Sequence, residues 1–345
     1  MRGDSSKVLV TGASGFIGVN VVKCLAEKGY SVLGTTRRID GGPGPLVDDY
    51  LEGLGDRVEW ITLDLRDSEK VADIGEDHDI GGIIHAAVFT PASRELEQMR
   101  SRDILESNLM GTVNTLELAK EAVVCHYVYV SSSGVYGSTG NSTESVPESS
   151  PGPYLQASGF YRTTKIACER LTEHYNNLFP ITTTSMRVGA PYGCMERPTG
   201  SRHRMGPIYR LLELILTEKR DMLKVRELDY TRDWTFAMDT ASCLVAGLET
   251  PPPISRLYNV TRGINSSLRE ILSAIQKVPG VDFEWEEVRN AEEADFPESV
   301  GIRRGPLNIE KARSELGFTP QYDLKRGIRA YVDWWKGVME KGLWP

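Results

Sequence analysis

The chain has 345 residues, of which 40% are hydrophobic and 26% charged, a composition typical of a globular protein with one large or two modest domains. Its formal net charge of −8 argues against nucleic acid or an anionic membrane as the main partner. Because no signal-peptide core or membrane-spanning apolar run is present, we expect a cytoplasmic protein. The five cysteines and five histidines lack ligand spacing, so we expect neither a disulfide framework nor a metal site.

Short β-branched or aromatic runs alternate with helix-period stretches over roughly the first 190 residues. This alternation predicts a Rossmann-type α/β fold, in which a doubly wound parallel sheet is covered by helices on both faces. The predicted strands are Lys7–Thr11, Ser31–Thr35, Val58–Thr62, Gly82–His85, Tyr127–Ser131 and Thr182–Val188.

The pattern changes after Arg187. A loop over Gly193–Met205 is followed by predicted helices at about Gly206–Glu218 and at Leu324–Met339, with a strand at Arg256–Val260 between them. We therefore predict a dinucleotide-binding domain over residues 1–189 plus about 234–262. A smaller, partly interleaved α/β substrate domain would comprise residues 190–233 and 263–345.

A glycine-rich turn follows the first predicted strand and precedes the first predicted helix. Its glycines, Gly12, Gly15 and Gly18, allow a tight turn and let backbone N–H groups approach a pyrophosphate, while the helix N-terminus adds partial positive charge. The spacing alone is a weak signal, but its position in the chain favours dinucleotide binding over an ordinary turn. We expect Gly12, Ser14, Gly15, Phe16, Ile17 and Gly18 to contact the cofactor.

The second strand ends without the acidic residue that commonly binds the adenosine ribose of NAD. Arg37 and Arg38 occupy that place, and two guanidinium groups suit a 2′-phosphate, so we favour NADP over NAD. The alternative is that both arginines are solvated surface residues. Asp64 is placed to accept a hydrogen bond from adenine, although an N-capping Asp would give the same pattern.

Tyr161 and Lys165 lie four residues apart in a helical pattern, so they share one helix face. A nearby ammonium group and a positive nicotinamide would both favour the phenolate, which makes Tyr161 a candidate general base. The serines that end the strand Tyr127–Ser131 would meet them at the ligand-binding edge of the sheet. The small residues after His85 would let a flat cofactor pass over the backbone.

Taken together, these segments resemble the extended short-chain dehydrogenase/reductase family, in particular its NAD-dependent epimerase/dehydratase branch. The resemblance also includes the segments Arg187–Gly193, Arg232–Trp234, Leu257–Val260 and Asn308–Gln321, so it covers nearly the whole chain. It implies Tyr161 as catalytic base or acid, Lys165 as its partner and Ser132 as the catalytic hydroxyl. Further cofactor contacts would come from Asp64, Leu65, His85, Ala86, Ala87 and Asn108, and substrate contacts from Thr90, Ser133, Arg187, Tyr192 and Arg232.

The resemblance implies an epimerase that acts on a nucleotide-linked sugar through a transient ketone. Ser133-Gly134 stands where dehydratases of the branch carry an Asp-Glu pair, which makes dehydration less favoured. Ala190 replaces an Asn that often binds the sugar nucleotide, and with Arg37 and Arg38 it supports the alternative of an NADP-dependent reductase or dehydrogenase of a small hydroxy or keto compound. A non-catalytic NADP-sensing regulator is disfavoured because both Tyr161 and Lys165 are present.

Two further expectations concern surfaces. The basic run Arg202-His203-Arg204 is interpreted as a phosphate contact, with a mobile loop as the alternative. The resemblance also implies a homodimer formed through two helices of each subunit, here about Ile104–Ala122 and Tyr161–Leu178.

Overall fold

The structure is a computed structural model that describes residues 6–38, 42–91, 93–138, 143–150, 159–203, 205–252, 254, 256–295 and 303–344. The strands are β1 Lys7–Thr11, β2 Val32–Thr36, β3 Val58–Thr62, β4 Ile80–His85, β5 His126–Ser132, β6 Thr182–Val188, β7 Ala190–Tyr192, β8 Met222–Val225, β9 Thr231–Arg232, β10 Trp234–Phe236, β11 Leu257–Val260, β12 Ser266–Ser267 and β13 Glu284–Glu287. The helices are α1 Phe16–Glu27, α2 Pro45–Tyr50, α3 Ser68–Asp77, α4 Arg94–Met99, α5 Ser101–Leu105, α6 Gly111–Glu121, α7 Phe160–Leu178, α8 Pro207–Leu212, α9 Ala237–Glu249, α10 Leu268–Gln276, α11 Glu310–Leu316 and α12 Leu324–Glu340.

Seven strands form one parallel sheet in the order β11-β6-β5-β4-β1-β2-β3. The predicted doubly wound fold is therefore confirmed. The strand order reverses between β1 and β4, and open α/β sheets bind ligands in the crevice beyond the carboxyl ends of the strands at such a point. The ends of β1 and β4 thus mark where a ligand is expected.

Helices cover both faces of this sheet. Successive side chains along a strand point to opposite faces, and because both sets are apolar here, both faces must be buried. In β1, Val8 and Val10 belong to the core shared with α1 and α9, whereas Leu9 belongs to the core on the opposite face. All three side chains are fully buried. This two-sided burial fixes the register of the strand whose end carries the glycine turn.

A separate apolar core forms around the later part of the chain. It joins α8, α10 and α12 to the short parallel pairs β7–β10 and β8–β13, and Trp335 is completely buried at its centre. α10 begins with a capping box in which Ser267 and Glu270 bond each other's backbone N–H groups. The division into two domains with the boundaries given above stays a prediction, although a separate core of this kind is what it requires.

The helix predicted over Gly206–Glu218 consists of α8 and a wider π-helical turn over Glu213–Thr217. α12 extends one residue beyond the predicted end, to Glu340. Among the residues described, no helix is both long and apolar enough to span a bilayer.

Candidate active site

A cleft of about 1450 Å³ opens along the carboxyl ends of the central strands. A pocket for one small ligand commonly measures about 300–1,000 Å³, so this cleft is large enough for a dinucleotide together with a second ligand. The predicted residues that line it are Gly12, Ser14, Gly15, Phe16, Ile17, Gly18, Arg37, Arg38, Asp64, Leu65, Ala86, Ala87, Thr90, Ser132, Tyr161, Lys165 and Arg232.

The glycine turn forms one wall of the cleft and depends on having no side chains. Gly12 has φ of 65°, and a Cβ atom there would lie 2.7 Å from Cα of Ala87. A Cβ at Gly18 would lie 2.1 Å from the carbonyl oxygen of Gly12. Gly15 is the N-cap of α1 and no side chain caps that helix, so its first N–H groups are available to an anion.

The end of β2 presents positive charge. Thr36 is buried, whereas Arg37 and Arg38 are exposed at the cleft. The carboxylate of Asp64 is bound by the guanidinium of Arg66, with Nε at 3.0 Å from each carboxylate oxygen. This hydrogen bonding holds the pKa of Asp64 below its usual value.

His85 and Asn108 do not line the cleft; they support it from beneath. The ring of His85 is fully buried between the hydroxyls of Thr11, at 2.7 Å, and Thr112, at 3.0 Å. Burial lowers the pKa of His85 to about 3, so the ring is neutral. Asn108 binds both backbone groups of Phe89, accepting from its N–H at 2.6 Å and donating to its carbonyl at 3.0 Å.

The structure brings Tyr161, Lys165 and Ser132 together at the end of β5. Burial raises the pKa of Tyr161, while a hydrogen bond with Ser132 and the charge of Arg202 act in the opposite direction. Nζ of Lys165 lies 5.9 Å from the ring centre of Tyr161 and donates to the carbonyl of Val130 at 2.5 Å. Burial lowers the pKa of Lys165 to about 8. A phenol, a hydroxyl and a titratable ammonium group thus meet at one point.

Three predicted substrate contacts lie outside the cleft lining. Ser133 is 1% exposed, and its carbonyl and hydroxyl oxygens both accept hydrogen bonds from Arg304. Arg187 forms a two-bond ion pair with Glu169, at 2.9 and 2.7 Å. Tyr192 is buried in the second core, where its ring lies 5.7 Å from that of Phe236.

The segment after β7 crosses the cleft and supplies residues to which the sequence assigned no role in the site. Arg197 donates to the carbonyl of Ser14 at 2.8 Å, and the N–H of Thr90 donates to the carbonyl of Ser201 at 2.8 Å. Both contacts tie this segment to the sheet side of the cleft. Glu169 and Arg304 were also missed, because the partners of both are distant in sequence.

Arg202, part of the basic run, pairs with the fully buried Glu196 at 2.7 Å. Its guanidinium also stands 5.1 Å from the ring centre of Phe16. Arg204 lies outside the described residues. Within the described ranges, no group of three His, Cys, Asp or Glu side chains is placed to hold a metal ion.

The fold and this cleft define an enzyme of the extended short-chain dehydrogenase/reductase type, as the sequence predicted. Within that class, the profile of the NAD dependent epimerase/dehydratase family matches residues 8–261, and the chain belongs to that family.

Individual relatives align over nearly their full lengths. The UDP-glucose 4-epimerase of Mycolicibacterium smegmatis is 28% identical over 96% of this chain and 98% of its own. The UDP-glucuronate 4-epimerase of Thermodesulfobacterium geofontis is 27% identical over 96% and 97%. Among solved structures, the UDP-glucuronic acid 4-epimerase of Bacillus cereus, in complex with UDP-glucuronic acid and NAD, has a TM-score of 0.77 and 26% identity. That alignment covers 96% of this chain and 99% of the other.

Proposed function

We propose that the chain is an NAD(P)-dependent epimerase that acts on a nucleotide-linked sugar through a transient keto intermediate. The observation that carries this proposal is the meeting of Tyr161, Ser132 and Lys165 in the same cleft as the glycine turn. A proton-transfer group beside a dinucleotide site is the arrangement that reversible oxidation of a hydroxyl requires.

The glycine turn fits a dinucleotide. The cradle that a Cβ at Gly12 would fill, together with the uncapped N-terminus of α1, suits a pyrophosphate. The nicotinamide ring, when bound, would accept a hydride from the sugar carbon and return it. Arg37 and Arg38 favour NADP by their charge at the end of β2, whereas the similar solved structure holds NAD.

The chain's own groups would move and hold the proton. Tyr161 would take the proton from the sugar hydroxyl and later give it back, and Ser132 would hydrogen-bond the same oxygen. Lys165 would stabilise the phenolate by its charge. Arg232 lines the cleft, and its guanidinium would bind the diphosphate of the substrate.

We infer a uridine diphosphate sugar as the substrate because the named relatives act on UDP-glucose or UDP-glucuronate. The experiment incubates the purified protein with each of these two compounds and catalytic NAD or NADP, and follows the C4 epimer by proton NMR. Product should form without net change in the absorbance of reduced nicotinamide. Stoichiometric formation or loss of reduced nicotinamide would instead support the alternative, a reductase or dehydrogenase.

The variant Tyr161→Phe tests the proposed role of the phenol. Removing the phenolic proton-transfer group should lower kcat by about 10²–10⁴-fold and leave dinucleotide affinity nearly unchanged. Full activity in Tyr161→Phe would contradict the assigned role. The variant Tyr30→Phe serves as the control, because Tyr30 is a partly buried tyrosine whose hydroxyl donates to Glu249 outside the cleft lining.

A further inference from the structure

Arg304 joins the C-terminal part of the chain to the turn that carries the reacting hydroxyl. Its side chain is partly exposed but is not among the residues that line the cleft. It donates to the carbonyl and hydroxyl oxygens of Ser133, and more weakly to the carbonyl of Gly137 at 3.5 Å. One guanidinium therefore holds both ends of the 3₁₀ turn over Ser133–Tyr136.

The backbone around Arg304 is itself fixed. A Cβ at Gly305 would lie 1.9 Å from the carbonyl oxygen of Glu144, so these two segments of the chain are in direct contact there. The N–H of Val146 donates to the carbonyl of Pro306 at 2.8 Å, and Asn265 donates to the carbonyl of Arg304 at 3.1 Å. The guanidinium is thus held from a rigid base, as a positioning group must be.

The same segment also contacts Asp233, the residue next to Arg232, whose guanidinium is proposed to bind the diphosphate of the substrate. The N–H of Leu307 donates to the carboxylate of Asp233 at 3.1 Å, and Asp233 directly follows Arg232. The pKa of the Arg304 guanidinium is lowered to about 10, first by burial and second by the positive charge of Arg232. The segment therefore contacts the chain directly beside two cleft-lining residues, Ser132 and Arg232.

We propose that Arg304 is a positioning residue that fixes the Ser133–Tyr136 turn, and through it the Ser132 hydroxyl, against Tyr161. Ser132 Oγ accepts from the N–H of Gly134 at 3.1 Å, so its place depends on the course of the turn that Arg304 holds. Without Arg304 the buried oxygens of Ser133 lose their donors, and the turn relaxes to satisfy them. The hydrogen bond between Ser132 and Tyr161 then weakens. This inference rests on the proposed function for its kinetic consequence only.

The first test needs no substrate. Tyrosinate absorbance is titrated in the dinucleotide-bound protein and in the same protein with Tyr161→Phe, and the difference isolates Tyr161. Because the Ser132 bond lowers the pKa of Tyr161, Arg304→Met should raise it, by about one pH unit. The other groups near the phenol, Lys165, Arg202 and Tyr129, are the same in each protein.

The matched control is Arg303→Met, at the neighbouring arginine, whose side chain is exposed and pairs with Glu227 at 3.0 Å. It should leave the titration unchanged. Arg304→Lys keeps the charge but not the two-pronged geometry, so it should resemble Arg304→Met. Each variant must first melt within a few degrees of the wild type and bind the dinucleotide with wild-type affinity. If Arg304→Met fails this check, Arg304→Gln takes its place.

The second test is kinetic. Arg304→Met should lower kcat by about 10–100-fold, with KM changed less than about threefold. In a Ser133→Ala background the further loss should be smaller, because both changes release the same turn. Wild-type titration and kcat in a folded Arg304→Met would overturn the proposal. If the wild type epimerises neither sugar while the titration still responds to Arg304, the proposed function fails and the positioning role stands.

Discussion

The burial of Lys165 disfavours its charged form and thereby gives it a pKa that suits its proposed role beside Tyr161. Lys165 is 4% exposed, and its ammonium group donates to the carbonyl of Val130, while Glu169, one helical turn further on, favours the charged form. Burial nevertheless dominates and lowers the pKa to about 8. The group therefore loses its proton within the range of ordinary assays.

This position leads to a prediction about pH. Above its pKa, Lys165 is neutral and no longer stabilises the phenolate of Tyr161, so kcat/KM should fall on the alkaline side. The phosphates of a bound dinucleotide favour the ammonium form, so the fall should be centred at or above pH 8. Lys165→Arg carries a charge that does not titrate there and should abolish the alkaline fall while lowering kcat. Profiles from pH 6 to about 10.5 test this; an unchanged alkaline limb in Lys165→Arg would assign it to another group.

A second residue-scale prediction concerns the two arginines at the end of β2. If they bind a 2′-phosphate, Arg37→Ala with Arg38→Ala should weaken NADP binding by about 1.5–3 kcal/mol, the usual range for hydrogen bonds to a charged group. NAD lacks that phosphate, so its affinity is the internal control and should change little. Titration calorimetry with both cofactors measures the two values. Equal losses for NAD and NADP would show that the arginines act only on the general shape of the site.

The residues that could be placed from the sequence are those whose position follows from local geometry. Tyr161 and Lys165 share a helix face because they are four residues apart, and Ser132 lies at a strand end. Arg187 and Ser133 could not be placed in this way. Their partners, Glu169 and Arg304, are 18 and 171 residues away, and only the packing of the folded chain brings these groups together.

At the scale of elements, α7 carries a line of functional side chains at helical spacing. Glu169 follows Lys165 by four residues and accepts hydrogen bonds from Ser131, at 2.5 Å, and from Arg187. The helix thereby ties the ends of β5 and β6 together beneath the proposed reacting groups. Both side chains of the Glu169–Arg187 pair are nearly buried, with 11% and 12% exposed.

The pair supports a prediction about stability. Glu169→Gln removes the charge and leaves the guanidinium of Arg187 buried and uncompensated, so the free energy of unfolding should fall by about 3–5 kcal/mol. The matched control on the same helix is Glu173→Gln, whose partner Arg170 is exposed, and its cost should be about 0–1 kcal/mol. Urea denaturation followed by far-ultraviolet circular dichroism compares the two. Similar small losses for both would mean that the buried pair contributes no more than a surface one.

A strand or helix could be predicted where its burial produces a local pattern of apolar residues in the sequence. β1 and β6, two strands of the central sheet rich in apolar or β-branched residues, have the bounds that the sequence predicted. The two-stranded pairs β7–β10 and β9–β12 were not predicted because each has only two or three residues per strand. The π-helical turn after α8 has no distinct sequence pattern, since it retains the apolar side chains of the helix that it extends.

At the scale of the molecule, the chain passes repeatedly between the central sheet and the second core, the one that contains Trp335. β10 contributes Trp234 and Phe236 to the second core, and the next element, α9, packs against α1 on the central sheet. Arg304 and Asp233 lie in segments that join these parts near the cleft. The proposed reacting groups therefore lie where direct contacts join the central sheet to the later part of the chain.

One outer surface of the molecule supports the last prediction. α7 and the π-helical turn over Glu106–Met110 form a shallow depression whose exposed surface is mainly apolar. It is lined by Leu109, Ala167 and Leu171 together with Arg170, Glu173, His174 and Asn177. Met110 and Leu178 on the same two segments are 46% and 62% exposed. Exposed apolar groups gathered on two neighbouring helical segments are typical of an interface between copies of a chain. We therefore predict a homodimer through this face.

The substitution Ala167→Glu places a charge in the lining of the depression, where a twofold axis through this face would bring it close to its own copy. It should convert the dimer to a monomer in sedimentation velocity experiments, because the two introduced carboxylates would repel each other across the axis and Arg170, which lines the same depression, already pairs with Glu173. Met222→Glu, at a methionine 41% exposed on β8, introduces the same charge elsewhere and should leave the mass unchanged. Since α7 also carries Tyr161 and Lys165, the monomer should keep the fold but lose part of its activity. A wild-type protein that sediments as a monomer would remove the interface from consideration.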